Sequence, residues 1–107
     1  MNAAYEELAR LWARMYRFDH LQSIARWDRA AMMPTQGSDA RADALAEMDA
    51  LLHRLRTDPK LVALFAAADG EALDEAERAN LREMRREWRR SNALAEALVE
   101  ALTLARS

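Results

Sequence analysis

The chain has 107 residues and a formal net charge of −2. Ala, Leu and Arg (24, 15 and 15 residues) make up half of it, whereas Val, Ile and Thr together number six, Gly two and Pro two. This scarcity of β-branched and turn-forming residues excludes an all-β domain. The absence of Cys excludes disulfides, thiol nucleophiles and thiolate metal sites, and two isolated glycines exclude a glycine-rich phosphate loop.

The composition predicts one globular helical domain over residues 1–107, because 51% of the residues are hydrophobic and 32% are charged. No apolar run approaches the ~18 residues of a membrane span, and the N-terminus lacks a signal-peptide pattern. We therefore expect a cytoplasmic protein that does not bind membranes. The mildly acidic charge gives no reason to expect nucleic acid.

The first predicted helix begins after Asn2, a helix-capping residue type, and continues to about Ala31. Its apolar residues lie on one face of the helix before Asp19 and His20 and on roughly the opposite face after them. Those before the change are Leu8, Leu11, Trp12, Met15 and Phe18, and those after it are Leu21, Ile24, Trp27 and Ala31. Two alternatives stay open: the helix breaks there, or it is continuous and packs on both sides. We interpret Trp12, Trp27 and Trp88 as core anchors.

Two shorter helices are predicted to follow a loop at Met33–Gly37, where Pro34 disfavours helix at the preceding residue. Ser38 is expected to cap a helix over 39–57, and Asp58 to cap a short third helix that Pro59 opens and that ends before Gly70. The apolar faces are Leu45, Met48, Leu52 and Leu55 in the second helix, with His53 pointing away, and Leu61, Leu64 and Phe65 in the third.

The last helix is predicted to begin at a capping box formed by Asp74 and Glu77. Its heptad-like stripe favours one long helix over two and comprises Leu81, Met84, Trp88, Ala95, Leu98 and Leu102, with Ser91 as the polar interruption. The opposite face carries Arg78, Arg82, Arg85, Arg86 and Arg89. We interpret these arginines as a solvated face paired with nearby glutamates, and a nucleic-acid adaptor remains the alternative.

Together these elements predict an all-α antiparallel bundle of about four helices, two long and two short. Such an unbalanced set leaves apolar surface without a partner inside these residues. We therefore expect an incomplete bundle, either cut from a longer protein or half of an intimate dimer.

The sequence contains no recognisable active site. Its two histidines, His20 and His53, do not form a zinc-binding His-Glu-x-x-His motif, and neither has a Glu three residues before it. Asp49 and His53 lie four residues apart, but a single pair does not make a metal site. We therefore predict no catalytic residue, metal ligand or cofactor in this chain.

One stretch nevertheless resembles a known family. It contains Ala25-Arg26-Trp27-Asp28, then Met32-Met33-Pro34, Gly37 and Ala40-Arg41-Ala42, followed by a Leu-rich helix. A later segment is Ala79-Asn80-Leu81-Arg82-Glu83-Met84-Arg85-Arg86-Glu87-Trp88. The order and spacing resemble the N-terminal region of the carboxypeptidase Taq family of metallocarboxypeptidases. The motif residues are Trp27, Asp28, Met33, Pro34, Gly37, Arg41, Leu81, Arg82 and Arg86. Ala95 stands where relatives often have Pro, which favours an unbroken last helix.

The resemblance implies a parent enzyme that uses zinc or a similar divalent ion to remove C-terminal residues from peptides, usually as a homodimer. This chain would be a non-catalytic segment that forms a wall or cap of the substrate groove, with Trp27, Met33, Pro34 and Arg41 ordering the turn between the first two helices. Its partners would be the remaining catalytic portion and, in the parent, the peptide. The alternative is a free-standing helical interaction or dimerisation module without enzymatic activity.

Overall fold

The computed structural model describes the backbone of residues 2–31 and 38–106, with side chains throughout except at 28–31 and 38–39. Four helices follow in order: α1 (Ala3–Ala31), α2 (Ser38–Arg56), α3 (Lys60–Asp69) and α4 (Glu75–Arg106). The described ranges contain no strand, so the predicted all-α class is confirmed. Two compact units form, one from Met1–Leu8 with Arg56–Ser107 and the other from Ala9–Leu55.

α1 is a single unbroken helix, which decides between the two alternatives that its pattern left open. Its buried residues include Leu8, Met15 and Gln22, spaced seven apart on one face. Leu21, Ile24 and Trp27 lie on other sides and are exposed. The prediction that Trp27 is a core anchor is wrong, because its side chain is 72% exposed. The same face of α1 therefore stays buried from Leu8 to Gln22. Gln22 is polar, and its side chain hydrogen-bonds to another residue of the chain.

The start of α1 is capped differently from the prediction. Asn2 precedes the helix, and its carbonyl accepts the Glu6 N–H (2.9 Å). Its side-chain amide, however, donates to the Ala72 carbonyl (3.0 Å) instead of accepting from a helix N–H. The carboxylate of Glu71 takes the capping role and accepts the backbone N–H groups of Ala4 and Tyr5, both at 2.9 Å. A carboxylate there also suits the positive end of the helix dipole.

α2 and α3 match their predictions to within one or two residues at each end. Leu45 and Leu52 are buried in α2, whereas His53 is exposed as expected. Ser38 is the first residue of α2, and its side chain lies outside the described set. Before α3, the Asp58 carboxylate accepts the Lys60 N–H (3.0 Å), which confirms its role in starting that helix.

α3 packs through Leu61 and Phe65, which are almost completely buried. Because α3 has only ten residues, these two side chains provide most of its anchoring.

α4 confirms both the predicted capping box and the single long helix. The Glu77 N–H donates to the Asp74 carboxylate (2.8 Å), and the Asp74 N–H donates to the Glu77 carboxylate (2.9 Å). Leu81 and Met84 are buried, and the Trp88 ring stacks on Phe65 with centroids 4.8 Å apart. The first half of the predicted stripe is therefore packed within its unit.

Arg85 corrects the prediction of a uniformly solvated arginine face. Its Nη2 donates to the Phe65 carbonyl (3.1 Å) and to the Asp69 carboxylate (2.9 Å). Its guanidinium lies 5.2 Å from the centre of the Phe65 ring, and its side chain is 22% exposed. Arg85 thus connects α4 to the end of α3. A planar guanidinium can donate a hydrogen bond to a carbonyl, pair with a carboxylate and stack on an aromatic ring at the same time.

Candidate functional site on the first two helices

A polar cluster joins the second half of α1 to α2. The side-chain amide of Gln22, a residue only 4% exposed, donates to the Asp49 carboxylate. Arg26 Nη2 donates to both oxygens of that carboxylate, at 3.1 and 3.3 Å. We call these three residues the α1–α2 cluster. They connect α1 to α2 through two donors that share one carboxylate.

The cluster is built for positioning and provides no reactive group. The Arg26–Asp49 pair is more than half exposed, so its contribution to stability is small, about 0–1 kcal/mol. The Gln22 hydrogen bond is better shielded from water, because Gln22 is only 4% exposed, and removing it would leave a buried amide without its acceptor. Since donors from α1 already surround Asp49, the geometry does not favour the sharing of a cation by Asp49 and His53.

An apolar groove of about 190 Å³ lies beside the cluster. Leu21 and Ala25 of α1 and Leu45 and Met48 of α2 form its walls. Arg41 also lines it, and the Nη1 atom of Arg41 is buried with no hydrogen-bond partner among the described residues. A buried polar group without a partner costs about 1–3 kcal/mol. Arg41 is therefore a motif residue with a buried donor that no described residue satisfies.

The motif residues fall into two groups, one in each compact unit. Trp27 and Arg41 belong to the unit Ala9–Leu55, and Leu81, Arg82 and Arg86 belong to the other. Leu81 is buried, whereas Arg82 and Arg86 are exposed. Arg86 pairs with Glu83 at 3.3 Å, as expected for a charged helix surface. Met33, Pro34, Gly37 and the side chain of Asp28 lie outside the described residues.

Sequence reasoning missed two residues that organise these units, Gln22 and Glu71. A signal for Gln22 exists in the sequence, because it continues the seven-residue spacing of Leu8 and Met15 on the packed side of α1. Glu71 has no comparable local signal, since it binds backbone groups 66 and 67 residues away.

The described residues contain neither a metal-binding cluster nor a helix suited to crossing a membrane. No group of three or more His, Asp or Glu residues lies close enough together to hold a metal ion. None of the helices described has both the length and the apolar character needed to cross a membrane.

Comparison with known proteins identifies the family. Residues 7–107 match the sequence profile of the carboxypeptidase Taq (M32) metallopeptidases. The chain belongs to this family. Because the match covers nearly the whole chain, it includes both motif segments, most of α1 and all of α2, α3 and α4. It confirms the resemblance to the N-terminal region of these enzymes.

Two relatives show how much of an M32 protein this chain represents. It is 32% identical over 72 residues to thermostable carboxypeptidase 1 of Thermus thermophilus, covering 67% of this chain and 14% of that protein. It also matches the structure of Trypanosoma cruzi metallocarboxypeptidase 1 with a TM-score of 0.85 and 43% identity, covering 95% of this chain and 22% of that one. The chain therefore spans less than a quarter of either M32 relative.

The M32 family implies a divalent metal ion, but the described residues do not fit one. Zinc sites in proteins use three or four His, Cys or carboxylate ligands. The described residues place no such set together, and the whole sequence contains two histidines and no cysteine.

Proposed function

We propose that this chain is a non-catalytic helical segment of an M32 metallocarboxypeptidase that removes C-terminal residues from peptides. The family match over residues 7–107 is the observation that carries this proposal. The relatives of known structure and sequence are named as carboxypeptidases, and this chain spans only a small part of each. The ligands of the metal ion would then lie elsewhere in the full-length enzyme.

The segment would form a wall or cap of the substrate groove, with peptide bound against exposed parts of its helices. Trp27 and Arg41 support this role. Trp27 presents a large aromatic surface to solvent. Arg41 has a donor next to an apolar groove that no described residue satisfies. In the full-length enzyme, Trp27, Met33, Pro34 and Arg41 would order the turn between α1 and α2.

An activity assay on the full-length protein tests the reaction. We expect a peptide with a free C-terminus to be shortened residue by residue, while the same peptide with an amidated C-terminus stays intact. A metal chelator should abolish the activity, and added zinc should restore it. The 107-residue chain alone should be inactive. A full-length protein without metal-dependent carboxypeptidase activity would contradict the proposal.

Photo-crosslinking tests the role of this segment in the groove. A peptide with a photoreactive residue near its C-terminus is bound to the full-length enzyme and irradiated. We expect labelled residues within positions 2–106, and excess unlabelled peptide should prevent the labelling. Labelling confined to the rest of the enzyme would reject the wall or cap while leaving the activity unaffected.

The alternative, a free-standing interaction module, is favoured by the exposed apolar side chains of α1 and α4. The gene distinguishes the two. A reading frame that continues to a His-Glu-x-x-His helix supports the enzyme segment, and one that stops after Ser107 supports the module. A homodimer of the full-length enzyme and a cytoplasmic location remain predictions from the resemblance and the sequence.

A further inference from the structure

The second half of α4 carries apolar side chains on the same face that packs in the first half. Leu81, Met84 and Trp88 are covered or partly covered there. The heptad spacing then continues through Ala95, Leu98, Val99 and Leu102, which we call the α4 stripe. Leu98, Val99 and Leu102 are 61%, 63% and 49% exposed. The second half of α4 therefore exposes apolar side chains at the same spacing that is buried in its first half.

The cover within this unit ends near Asn92, whose side chain donates to the Arg56 carbonyl (3.4 Å). α4 continues for about 14 residues, or about 21 Å, beyond that point. Every residue from Glu96 to Arg106 is exposed. A helical segment of about this length is marginally stable alone in water, because most helix stability in proteins comes from packing of an apolar face.

A second copy of the chain fits this stripe poorly. A coiled coil needs an apolar repeat sustained over about three or four heptads, and the α4 stripe is shorter than two. Its exposed side chains provide on the order of a few hundred Å², below the ~800 Å² that each partner buries in a typical stable complex. A lipid surface fits poorly as well, because Glu96 and Glu100 flank the stripe, where membrane-binding helices carry Lys and Arg.

We propose that the α4 stripe is covered by an apolar helix face from the remaining polypeptide of the same metallocarboxypeptidase. This rests on the proposed function. The chain covers 22% of the Trypanosoma cruzi relative, so an enzyme of that size has ample polypeptide to supply the partner. Two separate molecules lose translational and rotational freedom when they associate, whereas two parts of one polypeptide do not. A small apolar area is therefore sufficient to hold such an intramolecular contact together.

Hydrogen exchange in the unmodified sequence provides the first test. The amides of residues 95–102 should exchange on the order of 100-fold more slowly in the full-length enzyme than in the 107-residue chain. Amides of the covered residues 81–88 serve as the internal control and should be protected in both. Equal exchange at 95–102 in the two proteins would overturn the proposal.

A matched pair of substitutions provides the second test. Leu102 belongs to the stripe, and Leu104 lies about 200° away around the helix. In the full-length enzyme, Leu102→Asp should lower the melting temperature by at least about 4 °C, whereas Leu104→Asp should change it by less than about 1 °C. If Leu102→Asp prevents folding, Leu102→Ala should still lower the melting temperature measurably. Equal effects at the two positions would count against the proposal.

Two further measurements separate this proposal from its competitors. If sedimentation of the full-length enzyme shows a dimer that Leu102→Asp dissociates and Leu104→Asp does not, a second copy covers the stripe and the proposal is wrong. A full-length protein that protects residues 95–102 but lacks carboxypeptidase activity would contradict the proposed function and leave the docking surface supported.

Discussion

Glu71 shows how one side chain can join distant parts of the chain. Its carboxylate accepts the Ala4 and Tyr5 N–H groups, while the Asn2 amide donates to the neighbouring Ala72 carbonyl. The first helix N–H groups have no partner within the helix and must be satisfied by other groups. The start of α1 is therefore fastened to the segment between α3 and α4.

We expect Glu71→Gln to lower the free energy of unfolding by about 1–2 kcal/mol, because a neutral amide has one acceptor oxygen and lacks the charge that favours a helix N-terminus. Urea denaturation followed by circular dichroism would measure the loss. Glu100→Gln, at an exposed position in the second half of α4, is the control and should stay within about 0.5 kcal/mol of the unmodified chain. Equal small changes would show that Glu71 does not cap α1.

Gln22 likewise joins two parts of the chain, because it connects α1 to α2. It lies on the buried face of α1 and donates to Asp49, which also binds Arg26. We expect Gln22→Ala to lower the free energy of unfolding by about 2 kcal/mol, because it removes both the hydrogen bond and buried side-chain volume.

Ser23→Ala, at the next position in the sequence, is the control for Gln22→Ala. Ser23 is exposed, and its hydroxyl donates to the Asp19 carbonyl of its own helix (3.0 Å), so its removal should change stability by less than about 0.5 kcal/mol. Similar losses for both substitutions, measured by urea denaturation, would argue against the role of Gln22 in joining α1 to α2.

At the scale of the element, local signals were reliable wherever the stabilising groups lie close in sequence. The capping box of α4, the Asp58 contribution to α3 and the continuity of α4 were all predicted and confirmed. The bounds of α2 differ by a single residue at each end. Helix ends of this kind depend on side chains within three residues of the backbone groups they satisfy.

The α4 capping box predicts that Asp74 and Glu77 do not contribute independently to stability. Asp74→Ala should destabilise the protein by about 1 kcal/mol, because the Glu77 N–H loses its acceptor. Glu77→Ala should cost less, and the double substitution should cost less than the sum, since the two residues bind each other's backbone. Thermal denaturation of the four proteins would measure this cycle. Strictly additive losses would show that the two residues act independently. Asp43→Ala, at an exposed position within α2, controls for loss of a carboxylate.

At the scale of the whole molecule, apolar side chains remain exposed on α1 and on the second half of α4. The large exposed apolar residues include Tyr16, Trp27, Leu94 and three members of the α4 stripe, Leu98, Val99 and Leu102. The sequence predicted such uncovered surface, and the structure confirms it. Monomeric proteins rarely expose contiguous apolar patches above a few hundred Å².

We therefore expect the isolated 107-residue chain to bind a hydrophobic fluorescent dye and to self-associate weakly as its concentration rises. The full-length enzyme should bind less dye per molecule, because its remaining polypeptide covers part of this surface. Fluorescence titration and analytical ultracentrifugation would measure the two effects. A monodisperse chain at high concentration that binds no dye would contradict the prediction.

The all-α class, the four helices and their main packed faces followed from the chain alone, because helix propensity, caps and apolar spacing act over a few residues. The motif that contains Trp27, Pro34, Gly37 and Arg41 resembled the family, and the profile match over residues 7–107 showed that the chain belongs to it. Tertiary structure was needed to decide that α1 is continuous, that Trp27 is exposed and that Arg85 packs on Phe65. It also identified Glu71 as the cap of α1, and it showed that Arg41 Nη1 is buried without a hydrogen-bond partner among the described residues. These outcomes depend on contacts between residues up to 67 positions apart, and local pattern carries no information about which distant groups meet.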